Sequence, residues 1–286
     1  MSDDTDQHQP VHPTPGASNP LARTARGTAA LRACESERSD ALFVDPLAAL
    51  LAGEKYVAWV KGRPGDPGFW PVLRTRFLDD LLGDWMRATS IRQIVLLAAG
   101  LDTRAYRLAW PPEVRLFELD QEEIFSYKEP LLAQTHAIAQ CQRTPLSVNL
   151  EGSWAQVLLE AGFDPGCPSI WIIEGLLFYL KASTVLHIME TVSQLAAADS
   201  WLSLDIVNQA ALTSSHQEQL RRQGVAWQFG VDEPQQWLHN LGWDASVSPL
   251  GEIALRYGRW PYAPPPVRLD PAIPRTMFVV AQRRMS

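Results

Sequence analysis

We predict an α/β fold with one open, doubly wound sheet, and two observations support it. Continuous apolar runs, typical of parallel strands that are buried on both faces, recur along the chain. Segments of helical period separate most of these runs, and such alternation is typical of βαβ units. The predicted strands are Gln93–Ala99, Val114–Leu119, Ser169–Ile173, Trp201–Val207 and Thr276–Ala281, and the predicted helices between them are Gln121–Gln134, Ser153–Ala161 and Ala182–Ala197.

Helical sequence precedes the first predicted strand. Residues 1–20 are dominated by Pro, Asp, Gln, Thr and Ser. Such a segment buries too little apolar surface to order itself, so we predict a disordered tail. Residues 62–68 are rich in Gly and Pro, which predicts a loop. After it, apolar side chains at spacings of three and four predict a helix over 72–89.

The alternation of strands and helices fails after Asn208. Residues 243–274 hold seven prolines and show little periodicity. We therefore predict a cap, inserted over the carboxyl edge of the sheet, before the last strand. The predicted organisation is a single domain over residues 21–286. Its parts are an amino-terminal helical part (21–90), a cofactor-binding core (91–208), the cap (209–265) and the final strand (275–283).

The composition argues against several kinds of partner and site. With 25 Lys and Arg against 32 Asp and Glu, the net charge of −7 disfavours nucleic acid. No apolar run is long enough for a membrane span. The three cysteines, Cys34, Cys141 and Cys167, and the six histidines lack metal-ligand spacing, which predicts no metal site. An odd number of cysteines without a secretory signal indicates reduced thiols and a cytoplasmic location.

Residues at the ends of the first two strands predict a ligand site. In an open α/β sheet, ligands bind beyond the carboxyl ends of the strands. The first predicted strand runs into Gly100, where a glycine permits a tight turn and close approach of a ligand. The second ends at Asp120, 20 residues later, where an acidic residue commonly accepts hydrogen bonds from the hydroxyls of a ribose.

The same segment argues against a dinucleotide. The pattern GxGxxG is absent, and Asp102 follows Gly100 by two residues, where a carboxylate would repel a pyrophosphate. A nucleoside without phosphates is favoured, and S-adenosylmethionine is the candidate. The spacing of Gly100, Asp102 and Asp120 is explained equally well by an ordinary strand–turn–helix with an Asp at the start of the helix.

Five elements of the sequence resemble, in order, the leucine carboxyl methyltransferase family. The resemblance covers residues 24–181 and implies the class I methyltransferase fold, a Rossmann-like sheet that is mostly parallel with an antiparallel last strand. It also implies S-adenosyl-L-methionine as cofactor. The bacterial branch of the family methylates oxygen atoms of small molecules, so the resemblance implies O-methylation of a small molecule in secondary metabolism. The first element consists of Thr24-Ala25, Arg32-Ala33, Glu35-Ser36 and Phe43-Val44-Asp45-Pro46-Leu47-Ala48. The other four are Leu73-Arg74-Thr75-Arg76-Phe77-Leu78-Asp79-Asp80, Ala99-Gly100-Leu101-Asp102-Thr103-Arg104, Glu118-Leu119-Asp120-Gln121 and Glu174-Gly175-Leu176-Leu177-Phe178-Tyr179-Leu180.

The resemblance implies roles for the residues at matching positions. Arg74 pairs with the methionine carboxylate of the cofactor, which suits a guanidinium group. Glu174 lies near the methionine ammonium, Gly100 gives access to the backbone, and Asp120 binds the ribose hydroxyls. For Arg74, a solvated position on its helix is the alternative.

Two further positions matter for the adenine and for the acceptor. Asn149-Leu150 stands where the family usually has Asp-Leu against the adenine. The amide oxygen of Asn149 accepts a hydrogen bond but carries no charge, so we expect weaker cofactor binding than with Asp. Tyr179 orients the substrate or packs under the cap, and both interpretations stay open. Lys128 fits a structural or solvated position better than a catalytic base.

The nature of the acceptor follows from acid–base chemistry. A carboxylate is ionised at pH 7 and needs no general base, whereas a phenol, with a pKa of about 10, benefits from one. No histidine lies beside the predicted site motifs, so we predict methyl ester formation on a small metabolite. Five of the 11 tryptophans follow residue 200, which favours an aromatic or polyketide-like acceptor.

Two alternatives are also consistent with the sequence. One is an O-methyltransferase of the same fold that acts on a hydroxyl or phenol. The other is a cofactor-binding protein without activity that binds a partner. The sequence does not indicate an oligomeric state.

Overall fold

The computed structural model describes residues 20–63, 69–222, 224–259, 270 and 272–284. Nearly all of the predicted tail therefore lies outside the described residues. So does the end of the predicted cap, residues 260–265.

Within the described residues, seven strands form a single sheet, and the sequence predicted this sheet with five of the seven strands. They are β1 (Gln93–Leu97), β2 (Arg115–Asp120), β3 (Gln142–Ser147), β4 (Ser169–Ile173), β5 (Trp201–Val207), β6 (Trp243–Pro249) and β7 (Thr276–Arg283). Their order is β3-β2-β1-β4-β5-β7-β6. The pairs among β1 to β5 are parallel, whereas β7 runs antiparallel to both β5 and β6. The prediction of a mostly parallel sheet with an antiparallel last strand is confirmed.

Helices cover both faces of this sheet. The helices are α1 (Pro20–Ser36), α2 (Ala48–Ala52), α3 (Glu54–Lys61), α4 (Phe69–Ala88), α5 (Arg104–Arg107), α6 (Glu122–Thr135), α7 (Trp154–Glu160), α8 (Ala182–Leu195), α9 (Ser215–Arg222), α10 (Pro234–Asn240) and α11 (Leu250–Arg256). The core on one face includes side chains of α7, α8 and α10, and the core on the other includes those of α4 and α11. Among the described helices, none is long and apolar enough to cross a membrane.

The continuous apolar run of β1 follows from its place in the sheet. Val95 and Leu97 pack into the core on one face, while Ile94 and Leu96 pack into the core on the other. All five residues of the strand are buried, because β2 and β4 flank it and helices cover both faces. Local sequence therefore suffices to identify such a strand.

The two edge strands lie outside the predicted apolar runs. β3 is polar and includes Pro145, which an edge strand tolerates because one side of it is free of pairing. β6 alternates apolar and polar residues from Trp243 onward, since only one face of it is buried. The expectation of little periodicity after residue 243 was wrong, and residues 243–256 form a sheet strand and a covering helix rather than a cap.

A buried ion cluster ties α6 to the sheet. The Lys128 Nζ atom donates to Glu118 Oε2 at 2.6 Å, and both side chains are fully buried. Arg143 donates to both oxygens of Glu118, at 2.9 and 2.7 Å. Lys128 is thus structural and not solvated, which settles the interpretation that the sequence left open between those two.

Replacement of Lys128 by alanine removes one of the two cations that the described residues place on the buried Glu118 carboxylate and leaves Arg143. Breaking a buried ion pair costs about 3 kcal/mol or more. We expect Lys128→Ala to lower the free energy of unfolding by about 3 kcal/mol in urea denaturation. The exposed Lys55→Ala is the control, with a change within about 0.5 kcal/mol. Equal effects of the two substitutions would contradict the structural role.

Candidate active site

A cavity of about 400 Å³ opens at the carboxyl ends of β1 to β4. Its volume lies within the range of roughly 300–1,000 Å³ that is typical of small-molecule sites. The structure brings together in its wall all seven residues to which the sequence assigned a role, although they span more than a hundred positions. These residues are Arg74, Gly100, Asp120, Asn149, Leu150, Glu174 and Tyr179.

The turn after β1 is held by the carboxylate at the end of β2. Gly100 has a left-handed backbone, with φ of 53°. Its N–H donates to Asp120 Oδ2 at 2.6 Å, and the N–H of Gln121 donates to Asp120 Oδ1 at 2.7 Å. Burial raises the pKa of Asp120, although these two hydrogen bonds oppose the effect. An ionised carboxylate has about four acceptor positions, so each oxygen retains capacity for a ligand hydroxyl.

Glu174, directly after β4, lies between two arginines. Arg74 Nε donates to one carboxylate oxygen at 2.9 Å, and Arg104 Nη1 donates to the other at 2.8 Å. Burial alone would raise the pKa of Glu174, but the two guanidinium groups lower it to about 2. Glu174 is therefore a fixed negative charge at neutral pH.

Arg104 belongs to a family motif but received no role from the sequence. It is 2% exposed and contacts three carboxylates. Besides Glu174 these are Asp79, which accepts from Arg104 Nε at 2.8 Å, and Asp102, which accepts from Nη1. Because Asp102 is paired in this way, its charge is compensated at the turn after β1.

Asp205, in β5, is a site residue that the sequence reasoning missed. It accepts a hydrogen bond from Arg74 Nη1 at 2.8 Å and another from the backbone N–H of Gly175 at 2.6 Å. Its signal in the sequence is a single carboxylate within an otherwise largely apolar buried strand. Such a carboxylate requires a partner, but the sequence does not say which one.

One face of α1 forms the wall of the cavity opposite the sheet. The residues that contribute are Thr24, Ala25, Thr28 and Arg32. Ala25 Cβ lies 3.6 Å from the position that a Cβ on Gly100 would take. Arg32 attaches the helix by donating to the carbonyl oxygen of Leu101 at 2.6 Å and to Asp45 Oδ2 at 2.8 Å. The resemblance included residues of α1 but assigned them no place in the site.

Asn149 and Leu150 line the cavity just after β3. The side-chain oxygen of Asn149 accepts a hydrogen bond from the N–H of Glu151 at 3.0 Å. An aspartate could accept the same bond, so the departure from the family pattern preserves this turn. The expected weaker binding of the adenine stays a prediction.

Tyr179 lines the cavity next to an aromatic cluster. Its ring contacts Phe178, with ring centroids 4.7 Å apart, and Phe178 in turn contacts Trp70 and Trp227. Burial raises the pKa of Tyr179. Trp227 packs in this cluster, and Phe229 packs against the main core. Neither is among the residues that line the cavity.

The donors and acceptors of the wall fit S-adenosylmethionine. The wall includes the Asp120 carboxylate beside a glycine turn, as a nucleoside requires. It also includes the Arg74 guanidinium and the Glu174 carboxylate, which match the two charged groups of an amino acid. Within the described residues, no three His, Cys, Asp or Glu side chains are grouped as metal ligands.

Most of the cavity wall lies in a stretch that matches a known family. The sequence profile of the leucine carboxyl methyltransferase family matches residues 25–193, more than half of the chain. The chain belongs to the leucine carboxyl methyltransferase family. It is an S-adenosyl-L-methionine-dependent methyltransferase, as the resemblance of its motifs predicts.

Bacterial relatives extend the match over most of the chain. A Streptomyces coelicolor protein named "Putative S-adenosyl-L-methionine-dependent methyltransferase" is 37% identical over 249 residues, which cover 82% of this chain and 87% of that protein. A Streptomyces avermitilis protein of the same description is 36% identical over 277 residues, covering 92% of this chain and 95% of the other.

Solved structures share the fold at much lower sequence identity. The crystal structure of a "putative methyltransferase" from Thermobifida fusca has a TM-score of 0.58 and 17% identity, covering 91% of this chain and 94% of that chain. A DUF574 family protein from Streptomyces avermitilis has a TM-score of 0.56 and 12% identity, covering 90% and 97%. The predicted methyltransferase fold is confirmed.

Gly175 offers a direct test of the packing around Arg74. A Cβ added at Gly175 would lie 2.9 to 3.1 Å from three atoms of the Arg74 guanidinium group, whereas one at Gly258 would meet nothing within 4 Å. Both glycines have φ of 66°. Each alanine variant should therefore lose about 1–2 kcal/mol of stability from backbone strain. Only Gly175→Ala should also weaken binding of S-adenosylhomocysteine in calorimetry, by about tenfold, because it displaces Arg74. Unchanged affinity in Gly175→Ala would contradict a role of Arg74 in binding.

The pKa of Glu174 predicts a pH dependence of stability. A carboxylate whose pKa is lowered on folding stabilises the protein above its ordinary pKa of 4.5, and this stabilisation is lost as pH falls through the folded pKa of about 2. We expect the difference in unfolding free energy between the wild type and Glu174→Gln to be constant from pH 7 to 5 and to shrink below pH 4.5. The exposed Glu123→Gln should change stability little throughout. A difference that grows toward acid pH would show that Glu174 is not held by its arginines.

Proposed function

We propose that this S-adenosylmethionine-dependent methyltransferase acts on the carboxylate of a small metabolite and forms a methyl ester. The observation that supports this acceptor is the charge state of the wall. Two arginines lower the pKa of Glu174 to about 2, and burial raises that of Tyr179. Neither group is suited to remove a proton at neutral pH, and an ionised carboxylate acceptor requires no such step.

The roles of the wall residues toward the cofactor are part of the proposal. Arg74 would hold the methionine carboxylate and Glu174 the ammonium, Asp120 the ribose hydroxyls, and Asn149 with Leu150 the adenine. S-adenosylmethionine supplies a methyl group on a positively charged sulfur, which departs as a neutral thioether. The protein's own contribution is then to orient both reactants and to exclude water.

Tyr179 is the residue we propose for orienting the acceptor. The Tyr179 hydroxyl is protonated at neutral pH, since the ordinary pKa of a tyrosine is about 10 and burial raises it. It is then able to donate a hydrogen bond, and a carboxylate oxygen is a strong acceptor for it. A phenol acceptor would gain no base from this residue.

The aromatic cluster beside Tyr179 supports an aromatic or polyketide-like acceptor. Phe178, Trp70 and Trp227 pack around one another with centroid distances of 5.3 to 5.7 Å. They lie outside the cavity wall and pack behind Tyr179 through Phe178, and this apolar backing of the proposed acceptor side favours a molecule with apolar area. The cytoplasmic location, a part in secondary metabolism and the exclusion of nucleic acid stay predictions.

A methyl transfer assay tests the proposed acceptor class. The enzyme is incubated with cofactor that carries a labelled methyl group and with a panel of aromatic acids and matched phenols, and the products are then treated with mild base. We expect label in the acids, released as methanol by base, because esters hydrolyse and ethers do not. Base-stable label in the phenols would overturn the carboxylate proposal and favour the hydroxyl alternative.

A binding measurement completes this test. Asp120→Ala should lose about ten- to hundredfold in affinity for S-adenosylhomocysteine, the effect of losing hydrogen bonds to a charged group. Tight binding by the wild type without transfer to any acid or phenol would favour the partner-binding alternative. Absence of binding by the wild type would refute the proposed site.

A further inference from the structure

We propose that Asp205 is a positioning residue for cofactor binding, which sets the Arg74 guanidinium in the orientation that receives the methionine carboxylate. The inference rests on the proposed function, because it assumes the role of Arg74 given above. Asp205 is 2% exposed and is not among the residues that line the cavity. It therefore acts through Arg74 and not by contact with a ligand.

The contacts of Arg74 show why its orientation depends on Asp205. The guanidinium donates through Nε to Glu174 at 2.9 Å and through Nη1 to Asp205 at 2.8 Å. Its Cζ atom also lies 5.6 Å from the ring centroid of Trp70. Glu174 lies in the cavity wall, whereas Asp205 lies behind it. Held from two directions, the planar group has three N–H donors left for a ligand.

Asp205 holds Gly175, the residue after Glu174, in addition to Arg74. Its second oxygen accepts the N–H of Gly175 at 2.6 Å, so the carboxylate anchors the turn that directly follows Glu174. That turn packs tightly against Arg74, since an added Cβ at Gly175 would come within 3.1 Å of the guanidinium. One buried carboxylate thus sets both members of the Arg74–Glu174 pair relative to each other.

The two hydrogen bonds also explain why aspartate is needed and asparagine would fail. Each carboxylate oxygen of Asp205 accepts from a different donor. An asparagine has one acceptor oxygen and one amide group that only donates, so it cannot keep both bonds. Asp205→Asn therefore preserves the volume of the side chain while it releases Arg74 or Gly175.

Calorimetry with two ligands separates positioning from structural support. S-adenosylhomocysteine carries the amino acid end, whereas 5′-methylthioadenosine lacks it. We expect Asp205→Asn to lose about ten- to hundredfold in affinity for the first ligand and less than about twofold for the second. Arg74→Ala should show the same selective loss. Glu118→Gln, which alters a buried carboxylate paired with other cations, should leave the ratio of the two affinities unchanged.

The outcomes distinguish the inference from the function on which it rests. If the wild type binds neither ligand, or if Arg74→Ala shows no selective loss, the proposed function or the role of Arg74 fails. If Arg74→Ala is selective but Asp205→Asn keeps the wild-type ratio, or weakens both ligands equally, the positioning role of Asp205 is overturned.

A second variant covers the case in which Asp205→Asn does not fold. Asp205→Glu keeps the charge and both acceptor oxygens but moves them by one methylene group. We expect a selective loss of affinity for S-adenosylhomocysteine that is smaller than that of Arg74→Ala. A wild-type ratio of affinities in this variant would count against the inference.

Discussion

The ion pairs of Glu174 are the interaction on which the described cavity wall depends. Arg74 comes from α4 and Arg104 from the start of α5, so one carboxylate after β4 joins parts of the chain that are remote in sequence. Removing such charges from water costs several kcal/mol for each ion unless partners compensate it. The sheet must bring β4, α4 and α5 together for any of these charges to be tolerated, and the assembled charges in turn define the shape of the cavity.

This arrangement suits a reaction that needs alignment more than proton transfer. A group that acts as general acid or base is most effective when its pKa lies near the working pH. Glu174 and Tyr179 have the opposite property, since their pKa values are shifted away from neutrality in opposite directions. Charges that are already oriented before the reaction need no reorganisation during it.

The sequence predicts those features whose physical cause lies in neighbouring residues, and it does not predict contacts between residues far apart along the chain. The strand β1 and the Gly100 turn are encoded in adjacent residues, and Asp120 stands at a fixed distance along the chain, so all three were found. Asp205 pairs with Arg74 across 131 positions, and no local pattern encodes that contact. The edge strands β3 and β6 were not predicted, because a strand with one free edge or face needs no continuous apolar run. The order of the family motifs identified the chemistry of the site, but not the network behind it.

The position of α1 has a consequence for the linkage between ligand binding and folding. This helix closes the cavity near Gly100, and the bond from Arg32 to the carbonyl of Leu101 joins it to the turn after β1. An element that packs outside the sheet can open at a lower free energy than the strands beneath it. A ligand that binds only when α1 is in place stabilises that state, so it raises the free energy needed to open α1. Occupancy of the cavity would then appear as slower amide hydrogen exchange at the amino-terminal helix, far along the chain from the strands that carry most of the site.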